Sequence, residues 1–130
     1  DICFSGKYTK DEVKKLLVGK GGLVSYLKTN DAREIEKMVL DGDKYAKLHY
    51  EAMAYNVVKE IGSLYFANGG NIDAVLITGG IAYSDYFIDF IKQRVEPIAK
   101  VKVYPGEDEM RALAEGAMRV LTKKEKSQVY

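Results

Sequence analysis

The stretch DAVLITGGIAYSDYF, residues 73–87, decides the fold of this chain. Its apolar run at residues 74–78 is rich in β-branched side chains and ends on a Gly-Gly pair, which predicts a buried strand that stops at a tight turn. Ser84 then offers a side chain that can cap a helix, and apolar residues recur behind it at helical spacing until Pro97. An uninterrupted apolar strand is typical of a parallel sheet covered on both faces. The stretch therefore predicts a central strand, a glycine turn and a helix.

A second strand is predicted after this helix. The segment KVKVY, residues 100–104, alternates in polarity, and PGEDE then turns into a last helix with apolar positions up to Leu121. Strands separated by helices of this length are parallel, so we predict an α/β fold with parallel strands and helices packed on both sides. Because two strands make a poor sheet, we expect a further strand, either from the residues in the twenties or from upstream sequence.

The first half of the chain is predicted to be mainly helical. Thr9 and Glu12 have the spacing of a capping box, and either Asn30 or Asp31 can cap a helix that ends at Asp41-Gly42. The apolar patch at residues 23–27 allows either a strand or a helical turn.

The most strongly helical pattern covers residues 43–66, with two neighbouring apolar stripes. Two such stripes predict a helix that is covered on much of its circumference. The stripes consist of Tyr45, Leu48, Ala52, Tyr55 and Val58 and, beside them, of Ala46, Met53, Val57 and Leu64.

The chain has 130 residues, the size of one domain. We divide it into a helical segment at 1–42 that leads into the domain, a C-terminal α/β part at 43–121 and a tail at 122–130. It begins without a methionine, on residues that read as the exit from a strand or loop, so we expect a fragment of a longer protein.

Composition excludes several classes of protein. The net charge is +1 and no basic stripe alternates with aromatic residues, so we expect no nucleic-acid partner. No long apolar run or signal-peptide pattern is present, and we expect no membrane association. Cys3 is the single cysteine, which favours a reducing compartment and a cytoplasmic protein.

The segments that follow the two predicted strands each allow two interpretations, one structural and one functional. A glycine turn at the carboxyl end of a strand lets a ligand approach bare main chain, but it also serves as a purely structural turn. Glu107, Asp108 and Glu109 follow the second strand; acids at a helix N-terminus complement its dipole, or one of them faces the same crevice and helps to hold a hydrated Mg²⁺.

The motifs LITGGIAYSDYF and VYPGEDEMRALAEGAMRVL, separated by one helix, resemble the C-terminal part of the acetate kinase family. Earlier segments, such as GKGGLVSYLKTNDAREIE, are similar to the same family in the same order. The TGGIA and PGEDEMRALA pair resembles its butyrate kinase branch more than the acetate kinases proper. The resemblance implies a partial ribonuclease H-like domain of the actin-like ATPase superfamily.

In that resemblance the α/β part at 43–121 is the nucleotide-binding part, and its glycine turn is the adenosine motif. Residues Gly79, Gly80, Ile81, Ala82 and Tyr83 would lie along the adenine and ribose of ATP or ADP.

Two further positions follow from the resemblance. The segment containing Asp31 and Arg33 is similar to a nucleotide-side loop with the sequence Asp-Phe-Arg, so both residues would flank the nucleoside, although Ala32 replaces the aromatic residue. The magnesium-linked acid of the family falls on Glu109, with Glu107 as the alternative.

The resemblance implies a butyrate kinase, which transfers the γ-phosphate of ATP reversibly to butyrate and yields butyryl phosphate and ADP with Mg²⁺. The family's catalytic residues and first domain have no counterpart here, so we expect no catalytic residue in this fragment and no activity from it alone. We expect the parent protein to form a homo-oligomer. The alternatives are a non-catalytic nucleotide-binding or assembly module of the same fold, and a doubly wound domain with an unrelated ligand.

Overall fold

The computed structural model describes residues 1–106 and 108–126 as eight helices and strands with two 3₁₀ turns. A turn at Ile2–Phe4 precedes the helices α1 (Lys10–Leu17), α2 (Leu23–Leu27), α3 (Ala32–Leu40) and α4 (Lys44–Ala67). Strand β1 (Ala74–Gly79), a 3₁₀ turn at Gly80–Tyr83, helix α5 (Asp85–Val95), strand β2 (Lys100–Pro105) and helix α6 (Glu109–Leu121) follow. The predicted order of the second half, strand, helix, strand and helix, is confirmed.

The sheet is the parallel pair β1 and β2, in a register that places Val75 opposite Val101 and Gly79 opposite Pro105. The parallel pairing that we predicted is therefore confirmed. Val75, Ile77 and Val101 pack against the hydrophobic core, whereas Leu76, on the other face of β1, is 62% exposed. Within the described residues the sheet is covered on one face, and the prediction of a strand covered on both faces is wrong for this part of the molecule.

The core lies where α3, α4 and α5 meet. Its completely buried side chains include Ile35 of α3, Tyr50 of α4 and Ile91 of α5. Because α3 supplies Ile35 to the same core, the helical segment before residue 42 and the α/β part pack together.

Helix α4 buries a narrower face than its two apolar stripes predicted. Ala46, from the second stripe, points inward with Tyr50 and Ala54 at i, i+4 and i+8, while Tyr45 and Leu48 of the first stripe are exposed. The prediction that α4 is covered on much of its circumference is wrong. The two apolar stripes were equally good helical patterns, and only the docking of α3 and α5 selects between the possible faces.

Local signals in the first half are confirmed. Thr9 accepts a hydrogen bond from the backbone N–H of Glu12, whose carboxylate accepts from the N–H of Thr9, which completes the capping box of α1. Asp31, rather than Asn30, caps α3 through the N–H of Arg33. The residues in the twenties form α2, so they add no strand to the sheet.

An apolar cavity of about 730 Å³ lies beside β1. Four consecutive residues of β1, 75–78, line it together with aliphatic side chains of α2 and α4. In the described part of the chain β1 pairs only with β2, so this cavity follows the strand's second, unpaired edge. None of the described helices has the length and apolar character needed to cross a membrane.

Candidate functional site

Main-chain hydrogen bonds connect the glycine turn to the residue that follows β2. The N–H of Gly79 donates to the carbonyl of Gly106 over 3.2 Å, and the N–H of Gly106 donates back to the carbonyl of Gly79 over 3.3 Å. Gly79 has φ 82° and ψ −174°, a backbone conformation that residues other than glycine rarely adopt. The backbone therefore needs a glycine at position 79 for its conformation.

The turn that follows is anchored to the core through Ser84. The Oγ of Ser84 accepts a hydrogen bond from the N–H of Phe87 and another from the hydroxyl of Tyr50. Ala82 is also buried. With Ala82 and Ser84 held inside, the 3₁₀ turn presents Gly80 and Tyr83 outward, and the side chain of Tyr83 is 66% exposed.

The N-terminus of α3 carries an ion pair between the N-cap residue Asp31 and Arg33 in the first turn. Arg33 donates from Nη2 to Oδ2 of Asp31 over 2.7 Å and from Nε to Oδ1 over 3.1 Å, while its backbone N–H also donates to Oδ1. The hydrogen bonds from the Arg33 side chain, then that from its backbone, lower the pKa of Asp31 from 3.8 to about 2. Asp31 thus stays ionised to a lower pH than an ordinary aspartate and accepts two hydrogen bonds from one edge of the guanidinium.

These two segments face each other across a surface cleft, which we call the 30/80 cleft. Its volume is about 860 Å³, and its lining consists of Asn30, Asp31, Ala32, Arg33, Gly80, Ile81 and Tyr83. The size suits a small-molecule ligand, and charged groups are concentrated on one wall.

The structure thus brings five of the predicted adenosine-site residues together: Asp31, Arg33, Gly80, Ile81 and Tyr83. The other two do not line the 30/80 cleft. Ala82 is directed into the core, and Gly79 is bonded to Gly106 behind the turn. Both support the wall of the cleft.

The predicted magnesium residue Glu109 is the first residue of α6 and is exposed. Asp108 precedes it as the N-cap, without a side-chain capping hydrogen bond. Among residues 1–106 and 108–126, no three histidine, cysteine, aspartate or glutamate side chains form a group that could hold a metal ion. Glu107, the alternative magnesium residue, lies outside the described residues. A single carboxylate fits a Mg²⁺ that keeps its waters and is held mainly by substrate phosphates, and does not fit an all-protein cage.

Sequence reasoning did not identify Gly106 as part of the site. Its backbone forms two hydrogen bonds with that of Gly79, and the hydroxyl of Tyr83 lies close to it. The available signal was its position: a glycine directly after β2 is the register neighbour of the glycine turn once the strands are paired.

The described architecture and one comparison with known proteins agree. The mixed α/β arrangement with a parallel strand pair fits part of an actin-like ATPase domain. The family model described as the Acetokinase family matches residues 5–129, which is nearly the whole chain. The chain therefore belongs to the acetokinase (acetate kinase) family, and membership implies a kinase that uses ATP and a carboxylate.

Proposed function

We propose that this chain binds the adenosine part of ATP or ADP in the 30/80 cleft and forms one wall of the active site of a butyrate kinase. Gly80, Ile81 and Tyr83 form the floor and one side for the base and ribose, and Asp31 and Arg33 form the opposite side. Gly79 and Ala82 hold the floor in place from behind.

One observation carries the proposal. Two segments that are distant in the sequence, the N-terminus of α3 and the 3₁₀ turn after β1, line one cleft at the carboxyl end of a parallel strand. Ligands of open α/β sheets bind beyond the carboxyl ends of the strands. The guanidinium of Arg33, hydrogen-bonded to Asp31 along one edge, presents a flat cation that can stack on a purine, and Tyr83 offers an exposed ring at the other side of the cleft.

The magnesium part of the proposal rests on Glu109. It begins α6, close behind Gly106, whose Cβ position would lie 3.1 Å from the hydroxyl of the cleft residue Tyr83. We propose that the Glu109 carboxylate accepts hydrogen bonds from waters on the nucleotide's Mg²⁺. The bound ion would supply charge neutralisation at the phosphates.

In the proposed reaction a carboxylate oxygen of butyrate attacks the γ-phosphorus of ATP, and the bond between that phosphorus and the bridging oxygen of ADP breaks. This in-line route is the simplest because none of Ser84, Cys3 and His49 lies in the 30/80 cleft to take up the phosphate. The residues that clamp the transferring group from the other side belong to a part of the kinase outside this sequence, in our proposal. One wall alone does not catalyse the transfer.

Two surfaces of this chain are suited to packing against further polypeptide. The second edge of β1 is unpaired in the described residues and borders the apolar cavity. Helix α6 exposes large apolar side chains, namely Met110, Leu113, Met118 and Leu121. We propose that the rest of the kinase and a second copy of it cover such surfaces, in the cytoplasm where ATP is available.

Calorimetric titration of the chain with ATP tests the adenosine proposal. Wild type and Gly62→Val, a variant in α4 outside the 30/80 cleft, are expected to bind ATP alike, because nothing lies within 4 Å of a Cβ at Gly62. Gly80→Val fills the cleft floor and is expected to abolish binding. Equal binding by Gly80→Val and wild type would refute the proposal.

Hydroxylamine trapping of acyl phosphate tests the catalytic part. The chain alone is expected to give no hydroxamate with ATP and butyrate, whereas turnover by it would contradict the one-wall proposal. In the intact kinase, kcat/KM for butyrate is expected to exceed that for acetate, and the reverse ratio would refute the butyrate assignment. ATP binding by an intact protein that forms no acyl phosphate would favour a non-catalytic nucleotide-binding or assembly module.

A further inference from the structure

Gly106 lies next to Tyr83 in the wall of the 30/80 cleft but does not itself line the cleft. A Cβ built on Gly106 would lie 3.1 Å from the hydroxyl oxygen of Tyr83 and 3.9 Å from its Cζ. The first distance is shorter than ordinary van der Waals contact, and the second is ordinary contact. The hydroxyl of Tyr83 would therefore have to move by a few tenths of an ångström to admit a side chain at position 106.

The backbone of Gly106 has little freedom to move away. Its N–H and its carbonyl are both hydrogen-bonded to Gly79, and the pair forms a bridge beyond the ends of the two strands. Its φ of 111° also lies where residues with a Cβ are strained. A side chain at this position must therefore be accommodated by Tyr83, which is the exposed and movable partner.

We propose that Gly106 is a positioning residue of the 30/80 cleft. By having no side chain, it lets the ring of Tyr83 lie against the end of β2, and so it sets the width of the cleft and the affinity for nucleotide without touching the nucleotide. The affinity part of this inference rests on the proposed function, while the contact between Gly106 and Tyr83 does not.

A double-mutant cycle with Gly106→Ala and Tyr83→Phe tests the coupling. Tyr83→Phe removes the one atom that the new Cβ would crowd. Gly106→Ala is expected to weaken ATP binding roughly tenfold in the wild-type background and by less than about threefold in the Tyr83→Phe background, as for directly coupled neighbours. Equal losses in the two backgrounds would overturn the inference.

Gly42→Ala is the matched control for backbone strain. Gly42 has φ 94°, but nothing lies within 4 Å of its Cβ position, and it lies outside the 30/80 cleft. This variant is expected to lower thermal stability as Gly106→Ala does and to leave ATP affinity unchanged. An equal loss of affinity in Gly42→Ala would assign the effect to general destabilisation and overturn the inference.

A ligand-free measurement separates this inference from the proposed function. In wild type, a nuclear Overhauser effect between the Tyr83 ring and the Gly106 Hα protons is expected, and the Tyr83 ring resonances should shift in Gly106→Ala but not in Gly42→Ala. If wild type binds no ATP, the proposed function fails, and these resonances still decide whether Gly106 positions Tyr83. Absence of the contact, or unshifted Tyr83 resonances in Gly106→Ala, would overturn the positioning role.

Discussion

The hydroxyl of Tyr50 donates a hydrogen bond of 2.9 Å to Oγ of Ser84 inside the core, which joins α4 to the first turn of α5. Ser84 also accepts from the N–H of Phe87 as the N-cap of α5. The pair lies directly behind the 3₁₀ turn at Gly80–Tyr83, so it fixes the floor of the 30/80 cleft to the core.

Ser84→Ala is expected to destabilise the chain more than Tyr50→Phe. The alanine variant loses a helix cap, worth about 1 kcal/mol, and leaves the buried Tyr50 hydroxyl without its partner, at a further cost of about 1–3 kcal/mol. Tyr50→Phe leaves the Ser84 cap in place and is expected to cost about 1 kcal/mol. Urea unfolding measures both, and a loss from Tyr50→Phe as large as that from Ser84→Ala would contradict this reading.

Asp31 is expected to titrate well below an ordinary aspartate. Its pKa is lowered from 3.8 to about 2, first by the side-chain hydrogen bonds of Arg33. Because the folded pKa is the lower one, the stability that this carboxylate contributes is present above pH 3.8 and is lost as the pH falls towards 2. Carboxyl ¹³C titration should show Arg33→Gln raising the Asp31 pKa and Lys37→Gln leaving it unchanged; the same pKa in Arg33→Gln would refute the ion pair.

Tyr86 is expected to ionise later than ordinary tyrosines. Burial first, and then its 2.6 Å hydrogen bond to Glu51, raise the pKa of Tyr86 from 10.0 to about 12. The neutral phenol is the form favoured by folding, so its contribution to stability is complete below pH 10 and is lost as the pH rises to about 12. Glu51→Gln should lower this pKa, though not fully to 10, because burial remains. Titration of the Tyr86 Cζ resonance checks this, and no change in Glu51→Gln would be inconsistent with the contact.

Two glycines are expected to respond to alanine in opposite directions. Gly62 lies inside α4 with nothing within 4 Å of its Cβ position, so Gly62→Ala should raise the unfolding free energy by about 0.5–1 kcal/mol. A Cβ at Gly21 would lie 2.0 Å from the carbonyl oxygen of Leu16, so Gly21→Ala forces the end of α1 away from α2. Thermal unfolding and amide exchange compare them, and a tolerated Gly21→Ala would show that this junction is looser than described.

Much of the fold could be predicted because its signals are local. The capping box at Thr9, the cap at Asp31 and the helix end at Asp41-Gly42 act within a few residues of the chain, and each appears in the structure. The parallel pairing of β1 and β2 followed from the intervening helix, since a crossover of that length leaves few other arrangements.

The remaining features depend on tertiary packing. Tyr50, the largest completely buried side chain, belonged to neither predicted stripe of α4, because periodicity alone does not select among overlapping apolar faces. The proximity of Gly106 to Tyr83 depends on the strand register, which no local pattern encodes. The exposed face around Leu76 likewise depends on which elements cover the sheet.

An amide chemical-shift titration of the chain with ATP maps where the nucleotide binds. We expect the amides of residues 31–33 and 80–83 to shift together, with one dissociation constant, since both segments line the 30/80 cleft. Shifts confined to other regions, or no shifts at saturating ATP, would contradict the claim that this cleft receives the nucleoside.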